Sequence, residues 1–422
     1  MNLKKIVLSN GLPVFLIKMP RVKSTTILVM FRTGSRYENR KNSGLSHFLE
    51  HMFFKGTTKR PSTLKISGEL DSIGADFNAF TGKEYTGYYI KAQKSKFNVA
   101  VDVLSDMLIN SKFDQEEIDR ERGVIIEELN MYENNPMMSI EDLFESCLYG
   151  DTPAGWDTIG FKDNILNLQR KDFLNYYNSQ YGVNGSAVFV AGDFSEEAVK
   201  KELESKFSEF RKNGYRKKVG IVERQKTPSL KIKNKKTDQI NLALGFRAFP
   251  YGHKDEKVLK LLSVILGGSM SSRLFTELRE RRGLAYYVRS NTEFYSDSGY
   301  IDVKAGVPKK KLKESIEIIL NEYKKFKEEL VGEEELQRAK DLLSGKLIVS
   351  MEGTDDYTSW FGSQFPFTDK FSSPDEVLDK FKSVKSKDIK RVANQLFVSS
   401  ALNLAVIGGG LKEVEIKKLL KI

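Results

Sequence analysis

The sequence is short of the residues that cross-link or anchor a protein. Its 422 residues include a single cysteine, Cys147, which excludes an intrachain disulfide and with it a disulfide-stapled secreted fold. No apolar run approaches the about 18 residues that a membrane-spanning helix requires. The N-terminal segment lacks the apolar core of about 7–15 residues that marks a signal peptide. We therefore expect a soluble, cytoplasmic protein that does not bind a membrane.

Histidine is also scarce. The chain contains three histidines, His47, His51 and His253, and the first two are four residues apart. Residues at this spacing share one face of a helix. The pair is the first indication of a metal site, whereas His253 lies in a polar stretch and is predicted to be a surface residue.

The charge balance is positive, with 68 Lys and Arg against 57 Asp and Glu, a net charge of +11. The basic clusters at 211–218, 231–236 and 309–313 are short, rich in lysine and scattered along the chain. No helix-turn-helix, zinc-finger or aromatic ribonucleoprotein motif accompanies them. We interpret them as solvated surface and expect no nucleic-acid partner. A basic nucleic-acid-binding protein remains an alternative, which salt-sensitive binding to DNA or RNA would reveal.

The length and an internal repeat predict two domains. Domains usually contain about 100–200 residues, so 422 residues exceed one core. Four strand-like or helical stretches recur at an offset of about 212–218 residues, which is the signature of a duplicated unit. The pairs are 27–34 with 242–249, 44–55 with 256–266, 85–92 with 298–305, and 117–128 with 334–346. We predict an α+β fold with a domain at 1–212, a linker at 213–236 and a homologous domain at 237–422.

The two copies differ at a few polar positions. His47, Glu50 and His51 of the first copy correspond to Leu262, Ile265 and Leu266 of the second copy. One copy thus carries polar side chains where the other carries ordinary core residues. The second domain is therefore predicted to lack the metal ligands, and the asymmetry requires a functional reason.

The first candidate site is a helix predicted over 44–55. His47, Glu50 and His51 follow the spacing i, i+3, i+4 and therefore share one face. Imidazoles are natural ligands of Zn²⁺, and the carboxylate between them can take a proton from water. The opposite face carries the apolar residues that would dock the helix, namely Leu45, Phe48, Leu49, Met52 and Phe53.

A catalytic zinc needs a third protein ligand, and a helix predicted over 114–135 offers candidates. Glu121 and Glu128 are seven residues apart, within about 20° of the same face. We assign Glu128 as the third ligand and Glu121 as the acceptor that orients a histidine. Glu127 points about 100° away from Glu128 and remains the alternative ligand if the register shifts by one residue.

The His-x-x-Glu-His order is the inverzincin pattern. On these residues the chain is identified as a member of the pitrilysin/insulinase (M16) zinc metallopeptidases, and it is similar to the short-chain type that includes the mitochondrial processing peptidase and its bacterial relatives. The resemblance covers both halves. It is carried by GLSHFLEHMFFKGT at 44–57, GADFNAFTGKEYTGYY at 74–89, ERGVIIEELNMYENNP at 121–136 and LFTELRERRGLAYYV at 274–288.

The resemblance implies a fold and a set of site residues. The fold would be LuxS/processing-peptidase-like: two tandem homologous α+β domains, each a mainly antiparallel sheet with helices packed on it. One Zn²⁺ per chain would be bound by His47, His51 and Glu128, with Glu50 as general base and Glu121 in support. Asn78, Ala79 and Phe80 would lie on an edge strand that pairs with the peptide substrate, and Arg279 and Tyr286 would bind substrate and stabilise the oxyanion.

The resemblance also implies an assembly. Longer family members carry four such domains and enclose the substrate, so this chain is expected to form a homodimer around a peptide-sized chamber. Each active site would then be completed by Arg279 and Tyr286 of the opposite chain. The expected activity is zinc-dependent endopeptidase action on peptides or unfolded segments. The alternative is a non-catalytic structural subunit of the same fold.

Overall fold

The computed structural model describes residues 3–212 and 215–422, and the chain divides into two compact units. The first unit comprises Met1–Asn130, Trp156–Val219 and Ser350–Ser373. The second comprises Met131–Gly155, Gly220–Val349 and Pro374–Ile422. Each unit therefore takes segments from both halves of the chain. The predicted domains at 1–212 and 237–422 are instead continuous ranges, and these bounds stay a prediction.

Both halves of the chain contain strands and helices. The strands are β1 (Leu3–Val7), β2 (Pro13–Lys18), β3 (Ser24–Phe31), β4 (Asp76–Thr81), β5 (Thr86–Gln93), β6 (Ser186–Gly192), β7 (Ser229–Asn234), β8 (Ile240–Ala248), β9 (Tyr287–Phe294), β10 (Gly299–Val307) and β11 (Leu402–Gly408). The helices of the first half are α1 (Leu45–Met52), α2 (Thr63–Ser72), α3 (Phe97–Asn110), α4 (Gln115–Asn134), α5 (Pro136–Tyr149), α6 (Lys162–Asn167), α7 (Arg170–Gln180) and α8 (Glu196–Phe207). Those of the second half are α9 (Glu256–Gly267), α10 (Leu312–Glu328), α11 (Glu333–Val349), α12 (Thr354–Gly362), α13 (Pro374–Ser383), α14 (Ser386–Leu396) and α15 (Glu413–Lys417).

The sheet of the first unit is six-stranded among the described residues, in the order β1-β2-β6-β3-β5-β4. Only the β2–β6 pair is parallel within this sheet, and the other neighbours are antiparallel. The central strands β3 and β6 are almost entirely buried because both of their faces are covered. β4 stands at one end of the order, beside α1.

The sheet of the second unit repeats this arrangement as β7-β11-β8-β10-β9. Its β7–β11 pair is parallel, like β2–β6, and the remaining pairs are antiparallel. The predicted α+β fold of two tandem homologous domains, each with a mainly antiparallel sheet, is confirmed. β7 lies inside 213–236, the segment predicted as a linker. Asn213 and Gly214, with which that segment begins, are outside the described residues.

One helix from each half of the chain packs on a sheet whose strands come from the other half. α12 comes from the second half of the chain but contacts β3 and β6 in the first unit. α5 comes from the first half and contacts β7, β8 and β11 in the second unit. Each core is thus completed by a helix that the chain supplies from a distant segment.

Both faces of the first sheet are covered along its central strands. Alternate side chains of a strand point to opposite faces. Leu28 and Met30 pack in the cluster that contains Phe361 of α12. Phe31 contacts Tyr88 and Tyr181 in the aromatic core on the other face, with ring centroids 6.0 Å and 4.6 Å away. This second core also holds Phe53, which follows α1, and so supports the helix that carries the candidate site.

Across residues 3–212 and 215–422, every helix is either too short or too polar to cross a lipid bilayer.

Candidate metal centre

Helix α1 begins after a glycine that no other residue could replace without strain. Gly44 has φ 98°, in the left-handed region that favours glycine, and a Cβ atom there would lie 2.3 Å from the carbonyl oxygen of Ile159. The helix then runs from Leu45 to Met52, inside the predicted range 44–55. Its apolar face is buried, and His47, Glu50 and His51 are partly buried on the other side.

The structure brings His47, His51 and Glu128 together. One ligand atom from each residue lies within 4.8 Å of the other two. The Oε2 atom of Glu128 is 3.6 Å from Nε2 of His47 and 3.7 Å from Nε2 of His51. Glu127, the alternative ligand, is exposed and does not belong to this group.

These distances fit a shared zinc ion. Zinc bonds of about 2.0–2.2 Å at tetrahedral angles place two ligand atoms about 3.4 Å apart. The separations of 3.6 Å and 3.7 Å are close to that value. Two imidazole nitrogens and one carboxylate oxygen are also the donor set of known catalytic zinc sites, so the residues present fit the metal.

The two histidines are prepared for ligation in different ways. Burial, together with the charge of His51, lowers the pKa of His47 to about 3, so its imidazole is neutral at neutral pH. Nδ1 of His51 lies 2.9 Å from Oε1 of Glu121, which leaves Nε2 to face Glu128. A partner on one ring nitrogen that leaves the other to the metal is typical of ligating histidines.

Glu121 is held on its far side by a lysine. The Nζ atom of Lys55 is 2.5 Å from Oε2 of Glu121, whose side chain is 7% exposed. Burial acts to raise the pKa of Glu121, but the hydrogen bonds from His51 and Lys55 and the charge of Lys55 bring that pKa below its usual value. The carboxylate is therefore ionised, and it links Lys55 to His51.

Glu50 is partly buried beside the three ligands. Burial raises the pKa of its carboxyl above the usual range, and the charge of Glu128 adds to this rise. The hydroxyl of Thr81, the last residue of β4, donates a hydrogen bond to Oε2 of Glu50 and opposes the rise together with His51. The carboxylate thus lies close to the ligands and is held by a neighbouring strand.

The predicted substrate-binding residues lie on β4. Asn78, Ala79 and Phe80 pair with Tyr89, Tyr88 and Gly87 of β5. The backbone N–H of Ala79 donates a hydrogen bond to Oδ1 of Asn78 at 2.8 Å. The Phe80 ring packs 6.0 Å from that of Tyr85.

Arg279 and Tyr286 belong to the second unit. Arg279 lies in a π-helical turn, Phe275–Glu280, and its guanidinium stacks 5.0 Å from the Phe275 ring centre. Tyr286 precedes β9 and is 73% exposed. Turns of the π type occur frequently at functional sites.

Two family models match the chain. The model described as Insulinase (Peptidase family M16) matches residues 13–160, and the model described as Peptidase M16 inactive domain matches residues 167–343. The uncharacterized zinc protease YmxG of Bacillus subtilis is 34% identical over 395 residues, which cover 94% of this chain and 96% of the relative. An uncharacterized zinc protease of Rickettsia felis is 35% identical over 402 residues, covering 95% and 96%. The chain belongs to peptidase family M16.

Solved structures share the M16 fold. A protease from Helicobacter pylori superposes with a TM-score of 0.90 at 24% identity, over 96% of this chain and 99% of that one. A Pseudomonas fluorescens protein described as a peptidase M16 inactive domain has a TM-score of 0.90 at 16% identity, over 97% and 98%. The predicted family, a zinc metallopeptidase family, is therefore confirmed together with the fold.

The M16 inactive-domain match agrees with the contrast between the two copies. Leu262, Ile265 and Leu266 of α9 are buried core residues, at most 3% exposed. In the second copy Ala339 stands in place of Glu121 and is buried on α11. At these positions the second copy therefore has buried apolar residues where the first copy has His47, Glu50, His51 and Glu121.

Two residues near the candidate site carry contacts that the sequence did not assign. Lys55 follows His51 by four residues, so helical spacing could have indicated it. Thr81 ends the strand that also holds Asn78 and Ala79, but no local pattern reveals that its hydroxyl reaches Glu50. That contact joins residues 31 positions apart and depends on how β4 lies against α1.

Proposed function

We propose that the chain is a zinc-dependent endopeptidase that hydrolyses peptides or unfolded segments. One Zn²⁺ per chain would be held by His47, His51 and Glu128. The observation that carries the proposal is the convergence of these three ligand atoms within 4.8 Å, beside a carboxylate on the same helix. The relatives named as zinc proteases support the choice of metal.

The proposed mechanism assigns proton transfer to Glu50. A zinc ion bound at the site would supply Lewis acidity, which lowers the pKa of water to about 7 and polarises a peptide carbonyl. Glu50 takes the proton from the attacking water and returns it to the leaving amine. The burial that raises the pKa of Glu50 brings it towards the operating pH, where a carboxylate both accepts and releases a proton readily.

Two further groups would handle the substrate. β4 can pair with an extended peptide through its main chain, since a strand at a sheet edge offers hydrogen-bonding groups with little regard to side chains. Asn78, Ala79 and Phe80 are the residues proposed for this contact. Arg279 and Tyr286 would bind the substrate and stabilise the oxyanion, a task for fixed donors.

We further propose a homodimer that encloses a peptide-sized chamber, in which each active site receives Arg279 and Tyr286 from the opposite chain. The presence of both the metal constellation and the Arg/Tyr pair in one sequence supports this arrangement. The absence of a nucleic-acid partner and the cytoplasmic location stay predictions from the sequence.

The variant Glu50→Gln tests the proposed mechanism. It should keep its zinc but lose turnover by about 100-fold or more, because it retains the ligands and removes the base. The measurements are zinc content by metal analysis and cleavage of a random peptide library, with a chelator added to the wild-type protein in parallel. A zinc-loaded Glu50→Gln protein with full activity would rule the mechanism out.

A matched pair of variants tests the ligand assignment in the same assays. Glu128→Gln should lose zinc, whereas Glu127→Gln, one residue away and exposed, should keep it. The runner-up function, a non-catalytic subunit of this fold, predicts no chelator-sensitive cleavage by the wild-type protein. The intact set of His47, Glu50, His51 and Glu128 argues against it.

A further inference from the structure

Thr81 connects the edge strand to the proposed general base. It is the last residue of β4, and its hydroxyl donates to Oε2 of Glu50 on α1. Thr81 is partly buried, as is Glu50, so the bond is sheltered from bulk water. Hydrogen bonds to charged groups are stronger than those between neutral groups, and this is most pronounced away from water.

The backbone that carries Thr81 is anchored on several sides. Thr81 pairs with Thr86 of β5, and the turn between them is closed by a hydrogen bond from the Gly82 amide to the Tyr85 carbonyl. The Gly82 carbonyl also accepts a hydrogen bond from the Ser35 amide at 3.2 Å. Gly34 packs so tightly on this turn that a Cβ atom would lie 2.2 Å from the Gly82 oxygen.

The next residues of the turn are fixed by buried charges. Arg36 and Glu84 form an ion pair, and their side chains are 0% and 2% exposed. The Arg36 amide donates to the Lys83 carbonyl at 2.9 Å. The Thr81 hydroxyl therefore projects from a rigid support.

A glutamate on a helix surface has several rotatable bonds and does not hold one position by itself. Proton transfer requires the base to stay within hydrogen-bond reach of the reacting group. We propose that Thr81 is a positioning residue of the peptidase: its hydroxyl holds one oxygen of Glu50 and leaves the other oxygen to accept the proton. The inference rests on the proposed function, because it assigns Glu50 as the base.

The position of Thr81 has a second consequence. It lies in the strand that is proposed to pair with the substrate, directly after Phe80. β4 would thus hold both the bound peptide and the carboxylate of Glu50 in position. Thr81 would set the distance between the bound peptide and the base, which matters because small misplacements of catalytic groups reduce rates strongly.

The test compares Thr81→Val and Thr81→Ser. Valine keeps the shape and removes the hydroxyl, whereas serine keeps the hydroxyl. Thr81→Val should lower kcat by about 10-fold to 100-fold, the range seen when partners that orient active-site groups are removed, with KM and zinc content unchanged. Thr81→Ser should restore most of kcat.

Thr86→Val is the structural control. The Thr86 hydroxyl is buried in the same hairpin and donates to the Thr33 carbonyl at 2.9 Å, without contacting Glu50. The Thr86→Val variant should lower the midpoint temperature of unfolding and leave kcat unchanged. A rate loss in Thr81→Val that comes with lost zinc, a raised KM or no recovery in Thr81→Ser would overturn the positioning role.

The outcome also separates this inference from the proposed function. If Glu50→Gln is inactive while Thr81→Val keeps full kcat, only the role of Thr81 is wrong. If zinc-loaded Glu50→Gln is active, the proposed mechanism itself is wrong.

Discussion

The two histidines of the metal centre differ in the support that each receives. His51 has Glu121 at its Nδ1 atom, and Lys55 holds the other oxygen of that carboxylate. Among the described residues, Nδ1 of His47 is buried without a hydrogen-bond partner. The orientation of His51 is thus set by a chain of charged groups, while that of His47 is set by packing.

Removing Lys55 should therefore weaken metal binding. In Lys55→Met, Glu121 loses its cationic partner at 2.5 Å and holds His51 less firmly. We expect the affinity for Zn²⁺ to fall by about 10-fold, the lower end of the range for residues that support ligands. The measurement is competition with a chromophoric chelator.

Lys59→Met is the control for Lys55. Lys59 is four residues further on, its side chain is 58% exposed, and it pairs with Asp102 instead of Glu121. Its zinc affinity should equal that of the wild type. Equal losses in both variants would show that charge alone, and not support of Glu121, determines metal binding.

At the scale of elements, the helix that completes each sheet comes from a distant part of the chain. α12 places Phe361 among Leu28, Met30 and Phe189, although α12 follows β3 by more than 300 residues. Thr354 at its start shares a hydrogen bond of 2.8 Å with Thr26 of β3. The unit that carries the metal centre therefore depends on residues encoded in the second half.

Phe361→Ala should destabilise the first unit. Phe361 is 2% exposed, and replacing a buried phenylalanine by alanine costs about 3–5 kcal/mol of unfolding free energy because it leaves a cavity. Denaturant unfolding followed by circular dichroism measures the loss. Leu64→Ala in the same unit, at an 82% exposed position, should change the free energy by no more than about 0.5 kcal/mol. Similar losses in the two variants would contradict the assigned packing of α12.

At the scale of the whole molecule, one duplicated chain carries two unequal copies. The first copy has the metal constellation, and the second has Arg279 on a π-helical turn and Tyr286 just before β9. In the proposed homodimer, both copies contribute to each active site, so neither half would be dispensable.

Mixing two inactive variants tests this arrangement. Glu50→Gln retains Arg279, and Arg279→Ala retains the metal site with its base. After random subunit exchange, half of the dimers are mixed and each has one of two sites intact, so about a quarter of the wild-type rate should return. Peptide cleavage before and after exchange is the measurement. Exchange without recovery would indicate sites built within one chain.

The sequence by itself determined the features that depend on local spacing. The period of a helix places His47, Glu50 and His51 on one face, and the recurrence of segments at a nearly constant offset establishes the duplicated α+β unit. These inferences need no knowledge of distant contacts.

Only the tertiary structure decided which distant residues meet. It placed Glu128 rather than the exposed Glu127 beside the histidines, it brought Thr81 to Glu50, and it packed α5 and α12 on sheets whose strands come from the other half of the chain. Contacts of this kind are set by how sheets and helices pack, and neither the period of a helix nor that of a strand encodes a partner tens or hundreds of residues away.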